Sequence, residues 1–173
     1  MLLEYWGHSF FTVTTEKGTV VAFDPYGEFY DYPKRRIAAN VCVVSHHHHD
    51  HDGVSSLTGE YKLIDTAGKV QPAPDVRLTG IPCCHDHHGG AHRGQNLMFV
   101  LESEGLRIAH LGDLGHIPTP AQVRELGIAG RVIFSGMAAP ERVADYYKVG
   151  DIFVSASRSE TQGLTYIEAM ASG

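Results

Sequence analysis

The first two thirds of the chain alternate short apolar runs with turn-forming residues, a pattern typical of β-strands. LLEYWG and FFTVTTEKGTVVAFDP are rich in β-branched and aromatic residues and predict short strands joined by turns at Gly7 and at Lys17 and Gly18. A loop over residues 26–36 follows. Later strand-sized runs are bounded by Gly, Pro or charged residues, namely VCVVS, YKLIDT, VRLTGIPCC, NLMFVLES and LRIAHLGD. The pattern therefore predicts a hairpin-rich β-structure.

From Pro118 onward, helices and strands alternate. TPAQVRELG predicts a short helix that is capped by Thr119 and ends at Gly127. The segments RVIFSG and IFVSAS predict strands, and PERVADYYKVG and GLTYIEAMASG predict helices. Because this alternation favours parallel strands joined by right-handed crossovers, residues 128–173 are predicted to form a Rossmann-like β-α-β-α unit.

Composition and charge exclude several classes of protein. With 43% hydrophobic and 20% charged residues among 173, the chain is expected to fold as a soluble protein, not to span a membrane or stay disordered. Its net charge of -6 provides no basic surface for a nucleic acid or a lipid headgroup. MLLEYWGHSFFTV has no signal-peptide pattern, and three cysteines make a poor disulfide framework. We therefore expect a cytoplasmic protein with no nucleic-acid or membrane partner.

Histidine is the unusual residue, with 12 in the chain and 11 of them between His46 and His116. The predicted strand VCVVS runs directly into an H-x-H-x-D-H spacing. After a strand, a tight loop can direct two imidazoles one residue apart at one cation, while the following Asp and His turn toward a second. Two more potential metal ligands, His85 and Asp113, stand near the ends of later predicted strands. The candidate metal ligands are His46, His48, Asp50, His51, His85 and Asp113.

A run of four histidines can also be a tag remnant or a solvated loop. The apolar strand before it and the residues DHDG after it favour a metal site. Imidazole and carboxylate ligands suit one or two zinc ions, and they also accept manganese, iron or cobalt. Cys83 and Cys84 are alternative soft ligands, but their position at a strand end favours a packing role.

The blocks WGHSFF, AFDP, SHHHHDHDG, PCCHDHHGGAHRGQN and HLGDLGH give residues 1–127 a resemblance to the metallo-β-lactamase fold superfamily, particularly its ascorbate-lactonase-like branch of metal-dependent hydrolases. The resemblance implies an α/β protein, an αββα sandwich whose N-terminal half is β-rich. It also implies that His85 completes a first metal site and that Asp113 bridges two metals. Asp24 would support the loop over residues 46–51, which we call the ligand loop. The alternative role for Asp24 is to initiate a turn before Pro25.

Two residues are candidates for catalysis. Asp50 is a carboxylate as well as a ligand, so it can orient a metal-activated water and accept its proton. His8 is predicted to face the same cavity, its alternative being a core histidine bonded to backbone. This chemistry suits hydrolysis of an ester, lactone, amide or phosphodiester in a small-molecule substrate. The other histidines near the landmarks are predicted to be loop or rim residues, namely His87, His88, His92, His110 and His116.

Residues 128–173 resemble a different family, the C-terminal nucleotide-sugar-binding domain of retaining GT-B glycosyltransferases. Glu160 and Glu168 match that family's pair of glutamates, and Gly163 opens a helix where a diphosphate would bind. The chain is thus interpreted as a chimera joined near Gly127, its C-terminal unit completing the sandwich within the same globule or in a dimer. The family's last histidine ligand has no counterpart in this unit, so one tight and one weak metal are expected.

Three interpretations of the whole chain remain open at this point. The first is an active metal-dependent hydrolase. The second is a chimeric scaffold that binds metal with little catalytic activity, and the third is a partial nucleotide-sugar-binding module.

Overall fold

The computed structural model describes residues 1–28 and 36–127, which all belong to the first of two units, Met1–Val132 and Ile133–Gly173. The elements predicted over 128–173, with Glu160, Gly163 and Glu168, lie outside the described residues, as does part of the loop predicted over 26–36. The described strands are β1 (Leu2–Gly7), β2 (Phe10–Thr14), β3 (Val20–Phe23), β4 (Ile37–Ala38), β5 (Val41–Val43), β6 (Leu57–Thr58), β7 (Lys62–Ile64), β8 (Gly68–Ala73), β9 (Val76–Cys84), β10 (Gln95–Ser103) and β11 (Leu106–His110). The helix α1 spans Pro120–Leu126, and a 3-10 turn spans Val54–Ser56.

The strands form two larger sheets and one short pair. The first sheet has the order β1-β2-β3-β5-β7, antiparallel from β1 to β3 and parallel from β3 to β7. The second sheet is antiparallel with the order β11-β10-β9-β8, and β4 pairs with β6 separately. Because β1 and β3 both run opposite to β2, the carboxyl ends of β1, β3, β5 and β7 lie at one edge of the first sheet. The carboxyl ends of β9 and β11 likewise share an edge of the second.

The two sheets pack face to face around one apolar core. Its buried residues are Val13, Val21, Phe23, Val41 and Val43 from the first sheet, and Val76, Leu78, Phe99 and Leu101 from the second. Side chains alternate along β10, so Met98 and Val100 face away from this core and pack with Leu126 of α1. The described residues thus supply the two central β-layers and one outer helix of the predicted αββα sandwich.

The helix α1 begins and ends at the residues that the sequence predicts. Thr119 is its N-cap and forms a capping box with Gln122, whose backbone N–H donates to Thr119 Oγ1 at 3.3 Å. Gly127 ends the helix with a φ of 70°, in the left-handed region that glycine adopts without strain. No helix in the described part of the chain is long and apolar enough to cross a bilayer.

One six-residue strand is missing from the sequence prediction for an identifiable reason. The strand β8 was not predicted, because its sequence GKVQPA contains a glycine and a proline, both of which disfavour strands. The irregular pairing of β8 with β9, whose register shifts between Val70 and Ala73, is where Pro72 is accommodated.

The turn after the histidine run allows a direct stability prediction. Gly53 N–H donates to Pro25 O at 2.6 Å, and a Cβ at Gly53 would overlap the backbone of Tyr26 and Gly27. We expect Gly53→Ala to lower the free energy of unfolding by at least about 1–3 kcal/mol in urea titrations, through steric overlap. Gly27→Ala is the matched control, since its Cβ would meet Gly53 Cα at an ordinary 3.7 Å. Equal stability of the two variants would contradict this packing.

Candidate metal centre

Strand ends from both sheets converge where the sequence places the ligand candidates. His8 follows β1, Asp24 follows β3, and residues 46–51 follow β5. From the second sheet, His85 follows β9 and Asp113 lies shortly after β11. The structure therefore brings all eight residues of the sequence-predicted site and its support to one edge of the sandwich.

Three histidines, His46, His48 and His85, form what we call the imidazole group. His46 Nε2 lies 3.0 Å from His48 Nδ1, and the ring centroid of His85 lies 5.0 Å from that of His46 and 5.3 Å from that of His48. One ring nitrogen from each residue lies within 4.8 Å of the others. Nitrogens bound to one tetrahedral zinc at about 2.0–2.1 Å are roughly 3.3 Å apart, so the group has the size of a zinc site.

His8, Asp50 and His51 form a second cluster, which we call the mixed group, with ligand atoms also within 4.8 Å of one another. His51 is fully buried, and its Nε2 has no hydrogen-bond partner among the described residues. Two carboxylate oxygens lie near that nitrogen, Asp113 Oδ1 at 3.3 Å and Asp50 Oδ2 at 3.9 Å. A buried nitrogen that forms no hydrogen bond is costly, and a cation bound between it and the two carboxylates would satisfy all three groups.

Asp113 lies between the two groups. Its Oδ2 is 3.0 Å from His85 Nε2 of the imidazole group, and its Oδ1 is 3.3 Å from His51 Nε2 of the mixed group. The Asp113 carboxylate is thus within reach of both groups. The donor set of imidazoles and carboxylates fits zinc, and it fits iron or manganese as well.

The backbone at Asp113 is held by a residue that the sequence analysis missed. The buried Asn96 accepts a hydrogen bond from Asp113 N–H at 3.1 Å and donates to Leu111 O at 2.9 Å. Gly112 adopts a φ of 54°, and a Cβ there would approach Asn96 Oδ1 at 2.5 Å and Ser45 Cβ at 2.6 Å. The turn therefore requires glycine before the carboxylate.

Asp24 is fully buried beneath the ligand loop and accepts four hydrogen bonds. Ser45 donates twice, from N–H to Oδ1 at 2.7 Å and from Oγ to Oδ2 at 2.6 Å. His51 Nδ1 and His110 Nε2 lie 2.9 Å and 2.8 Å from Oδ2. Burial alone would raise the pKa of Asp24, but the hydrogen bonds from His110 and His51 outweigh it and hold that pKa well below its usual range.

The prediction that His110 is a loop or rim residue is wrong. It is the last residue of β11, its side chain is 13% exposed, and its ring packs against Phe23 at a centroid distance of 5.3 Å. Strand alternation could have predicted this position. Ile108, two residues earlier on the same face of β11, packs against the core. By contrast, His87, His88 and His92 are exposed, as predicted.

Local electrostatics act in opposite directions on His46 and His51. Burial, and then the neighbouring His51, lower the pKa of His46 to about 4, so that its imidazole is neutral at pH 7 and able to bind metal. Burial opposes protonation of His51, but the Asp24 carboxylate outweighs it and raises the pKa of His51. We assign the Nδ1 proton of His51 to its bond with Asp24, which leaves Nε2 directed at the site.

Asp86, the residue after His85, organises the loop that follows this ligand candidate. Its carboxylate accepts backbone N–H bonds from His88 at 2.7 Å, Gly90 at 2.9 Å, His92 at 2.9 Å and Arg93 at 2.8 Å. Burial would raise the pKa of Asp86, but these bonds hold it well below its usual range. The sequence offered no periodic signal for this role.

The cysteines lie outside both ligand groups. Cys83 is buried in the cluster beneath α1, where its Sγ accepts a hydrogen bond from Asn96 at 3.0 Å. Burial raises the pKa of the Cys83 thiol, and burial also raises the pKa of Cys42 to about 12. Neutral buried thiols suit packing, not metal binding.

Two family profiles match the chain. One, described as a beta-lactamase superfamily domain, matches residues 2–134, and the other, described as glycosyl transferases group 1, matches residues 98–173. Because the first covers most of the chain, the protein belongs to the beta-lactamase superfamily, which confirms the resemblance of the N-terminal part. The matches overlap over residues 98–134, which include most of β10, all of β11 and the helix α1.

Solved structures share the fold. A Thermotoga maritima protein assigned as a zinc-dependent hydrolase of the metallo-β-lactamase superfamily is 33% identical with a TM-score of 0.56, over 72% of this chain and 55% of that one. CmlA, a diiron β-hydroxylase from Streptomyces venezuelae, has a TM-score of 0.51 at 13% identity, over 76% of this chain and 33% of its own. The second likeness shows the fold alone.

The curated relatives include a synthase and several glycosyltransferases. The alpha-monoglucosyldiacylglycerol synthase of Streptococcus pneumoniae is 60% identical over 52 residues, which are 30% of this chain and 12% of that protein. This match and the second family profile confirm the resemblance of the C-terminal segment to glycosyltransferases. The chain spans only a small part of that relative's length.

Replacing Asp24 tests the buried network. Asp24→Asn removes the charge and places an amide NH2 among donors, so we expect the unfolding free energy of the metal-free protein to fall by about 3 kcal/mol or more. Asp52→Asn is the control, since Asp52 pairs with the exposed His47 and such surface pairs contribute at most about 1 kcal/mol. Urea unfolding measures both values. A similar small loss in both variants would show that Asp24 does not hold the loop.

Proposed function

We propose that the protein is a hydrolase whose site binds one or two divalent cations, zinc foremost, and that it cleaves an ester, lactone or phosphodiester bond in a small-molecule substrate. The observation that carries this proposal is the buried His51 Nε2, which forms no hydrogen bond with the described residues and faces two carboxylates beside a group of three imidazoles. The ligands would be His46, His48, Asp50, His51, His85 and Asp113.

A divalent cation bound there would supply a Lewis acid that polarises a substrate oxygen and makes water acidic enough to attack. The protein's own groups complete the chemistry. The pKa of Asp50 lies below its usual value, since a hydrogen bond from its own backbone and the nearby His51 outweigh the effect of burial. Asp50 is therefore a carboxylate at neutral pH, able to orient a water molecule and accept its proton.

Exposure indicates where a substrate would approach. His51 is fully buried, whereas His8, Asp50 and Asp113 retain 30%, 22% and 34% of their side-chain exposure. These three residues and the exposed His48 thus line the open side of the site, and the fully buried His51 and Asp24 lie at its base. A substrate bound there would lie near the partly exposed Asp50 carboxylate, which suits the proposed role of Asp50 as proton acceptor.

Replacing His48 tests metal binding and catalysis together. We expect His48→Ala to lose most of its bound metal, and with it hydrolysis, because the variant removes one imidazole of three. His47→Ala is the matched control from the same run, since His47 instead lies 2.7 Å from Asp52 Oδ2 and 3.4 Å from Asp65 Oδ2. Elemental analysis after dialysis measures the metal, and chromogenic ester, lactone and phosphodiester substrates measure turnover.

The outcomes separate the interpretations. Unchanged metal content in His48→Ala would contradict the ligand assignment. Stoichiometric metal in the wild-type protein without turnover of any of the three substrate classes would instead favour a metal-binding scaffold.

A second candidate function follows from the glycosyltransferase profile that matches residues 98–173. In this alternative, residues 128–173 form a unit that binds the diphosphate of a nucleotide sugar through the segment containing Glu160, Gly163 and Glu168. We propose that this segment serves a structural purpose. Glu168→Ala is therefore expected to leave metal content and hydrolysis unchanged, as measured by the same assays.

Calorimetric titration with uridine and guanosine diphosphate sugars tests the nucleotide-sugar alternative. Saturable binding in the wild-type chain that is lost in Glu168→Ala would support the nucleotide-sugar module. Loss of hydrolysis in a folded Glu168→Ala protein would contradict the structural role proposed for the tail.

A further inference from the structure

The mixed group contains His8, which lies near the N-terminus, far in sequence from the other ligand candidates. We infer that His8 is a protein ligand of the second cation, contributed by the turn between β1 and β2. This inference rests on the proposed function, because it presupposes that the centre binds metal. It gives His8 the role of a ligand in place of the catalytic role predicted from the sequence.

Distances place His8 within the ligand set. His8 Nε2 lies 3.2 Å from Asp50 Oδ2, and the His8 ring meets the His51 ring edge-on at a centroid distance of 5.0 Å. One ligand atom from each of His8, Asp50 and His51 lies within 4.8 Å of the others. Two imidazoles and a carboxylate thus surround a space of the size that a first-row divalent cation needs.

The buried His51 provides an independent observation. A hydrogen bond between His8 and Asp50 would account for their contact, but it leaves His51 Nε2 buried without a hydrogen-bond partner among the described residues. The same Asp50 Oδ2 is 3.9 Å from that nitrogen, too far for a hydrogen bond. A cation bound by all three residues would give His51 Nε2 a partner. It would also explain why His8 and Asp50 lie close together.

The backbone of the turn presents His8 at this position. The pairing of β1 with β2 shifts register between Tyr5 and Gly7, and Gly7 has a φ of 117°. His8 follows with a φ of 50°, in the left-handed region that histidine enters more readily than most side chains. The irregularity brings the residue at the end of an edge strand over the site.

The ligand count makes this assignment consequential. Without His8, the second cation would be held by Asp50, His51 and Asp113, which is one protein ligand fewer than a closed four-coordinate site uses. With His8, two imidazoles and two carboxylates are available from the described residues. The second cation then requires no ligand from residues 128–173.

A metal titration of the full chain tests the role of His8. Zinc is added to the metal-free protein in competition with a chromophoric chelator, and cobalt absorption spectra report the number of ligand environments. The wild-type chain is expected to bind two ions. His8→Asn, which tolerates the positive φ, is expected to keep the first ion and to bind the second more than about tenfold more weakly.

Control variants make each outcome informative. His92→Asn changes an exposed imidazole outside both groups and is expected to bind both ions as the wild type does. His8→Gly removes the imidazole while adopting the positive φ without strain, so the result does not depend on how well the Asn variant folds. Both His8 variants should show the same loss.

Other outcomes overturn the inference in distinguishable ways. Wild-type affinity for the second ion in both His8 variants would overturn the role of His8 and leave the proposed function intact. A single bound ion in the wild type that persists in both variants would also overturn it. A wild-type chain that binds no ion would overturn the inference and the proposed function together.

Discussion

The arrangement of the site depends on one buried carboxylate. Asp24 ties the start of the ligand loop at Ser45, the end of that loop at His51, and the second sheet at His110. Burying a negative charge is costly, and these four hydrogen bonds offset the cost. Because the Nδ1 edge of His51 is bonded to Asp24, its Nε2 edge is directed at Asp50 and Asp113. One interaction thereby couples the face-to-face packing of the sheets to the geometry of the ligands.

Much of this framework can be read from local sequence. Runs of β-branched and aromatic residues predict the longer strands, and the Thr119 cap and Gly127 stop predict α1 because capping depends on residues within one turn. The ligand loop is recognisable because its histidine spacing directly follows an apolar strand. The strand β8 escaped prediction, since its pairing with β9 overrides the breakers in its own sequence.

Supporting residues are harder to predict, because their roles arise from distant partners. Asn96 contacts Leu111 and Asp113 across a turn, and Asp86 binds four backbone N–H groups of a loop without periodicity. The chain also matches two families that overlap over residues 98–134. In the structure, residues 98–127 of that overlap contribute strands and a helix to the hydrolase-like sandwich. The ligand candidates among the described residues all precede this helix.

The central claim is that distant strand ends converge to hold a cation. An anomalous-difference map from crystals grown with zinc tests this most directly. The account predicts a peak about 2.0–2.1 Å from ring nitrogens of His46, His48 and His85. A map with no peak there, or with zinc bound instead at the exposed His87, His88 and His92, would contradict it.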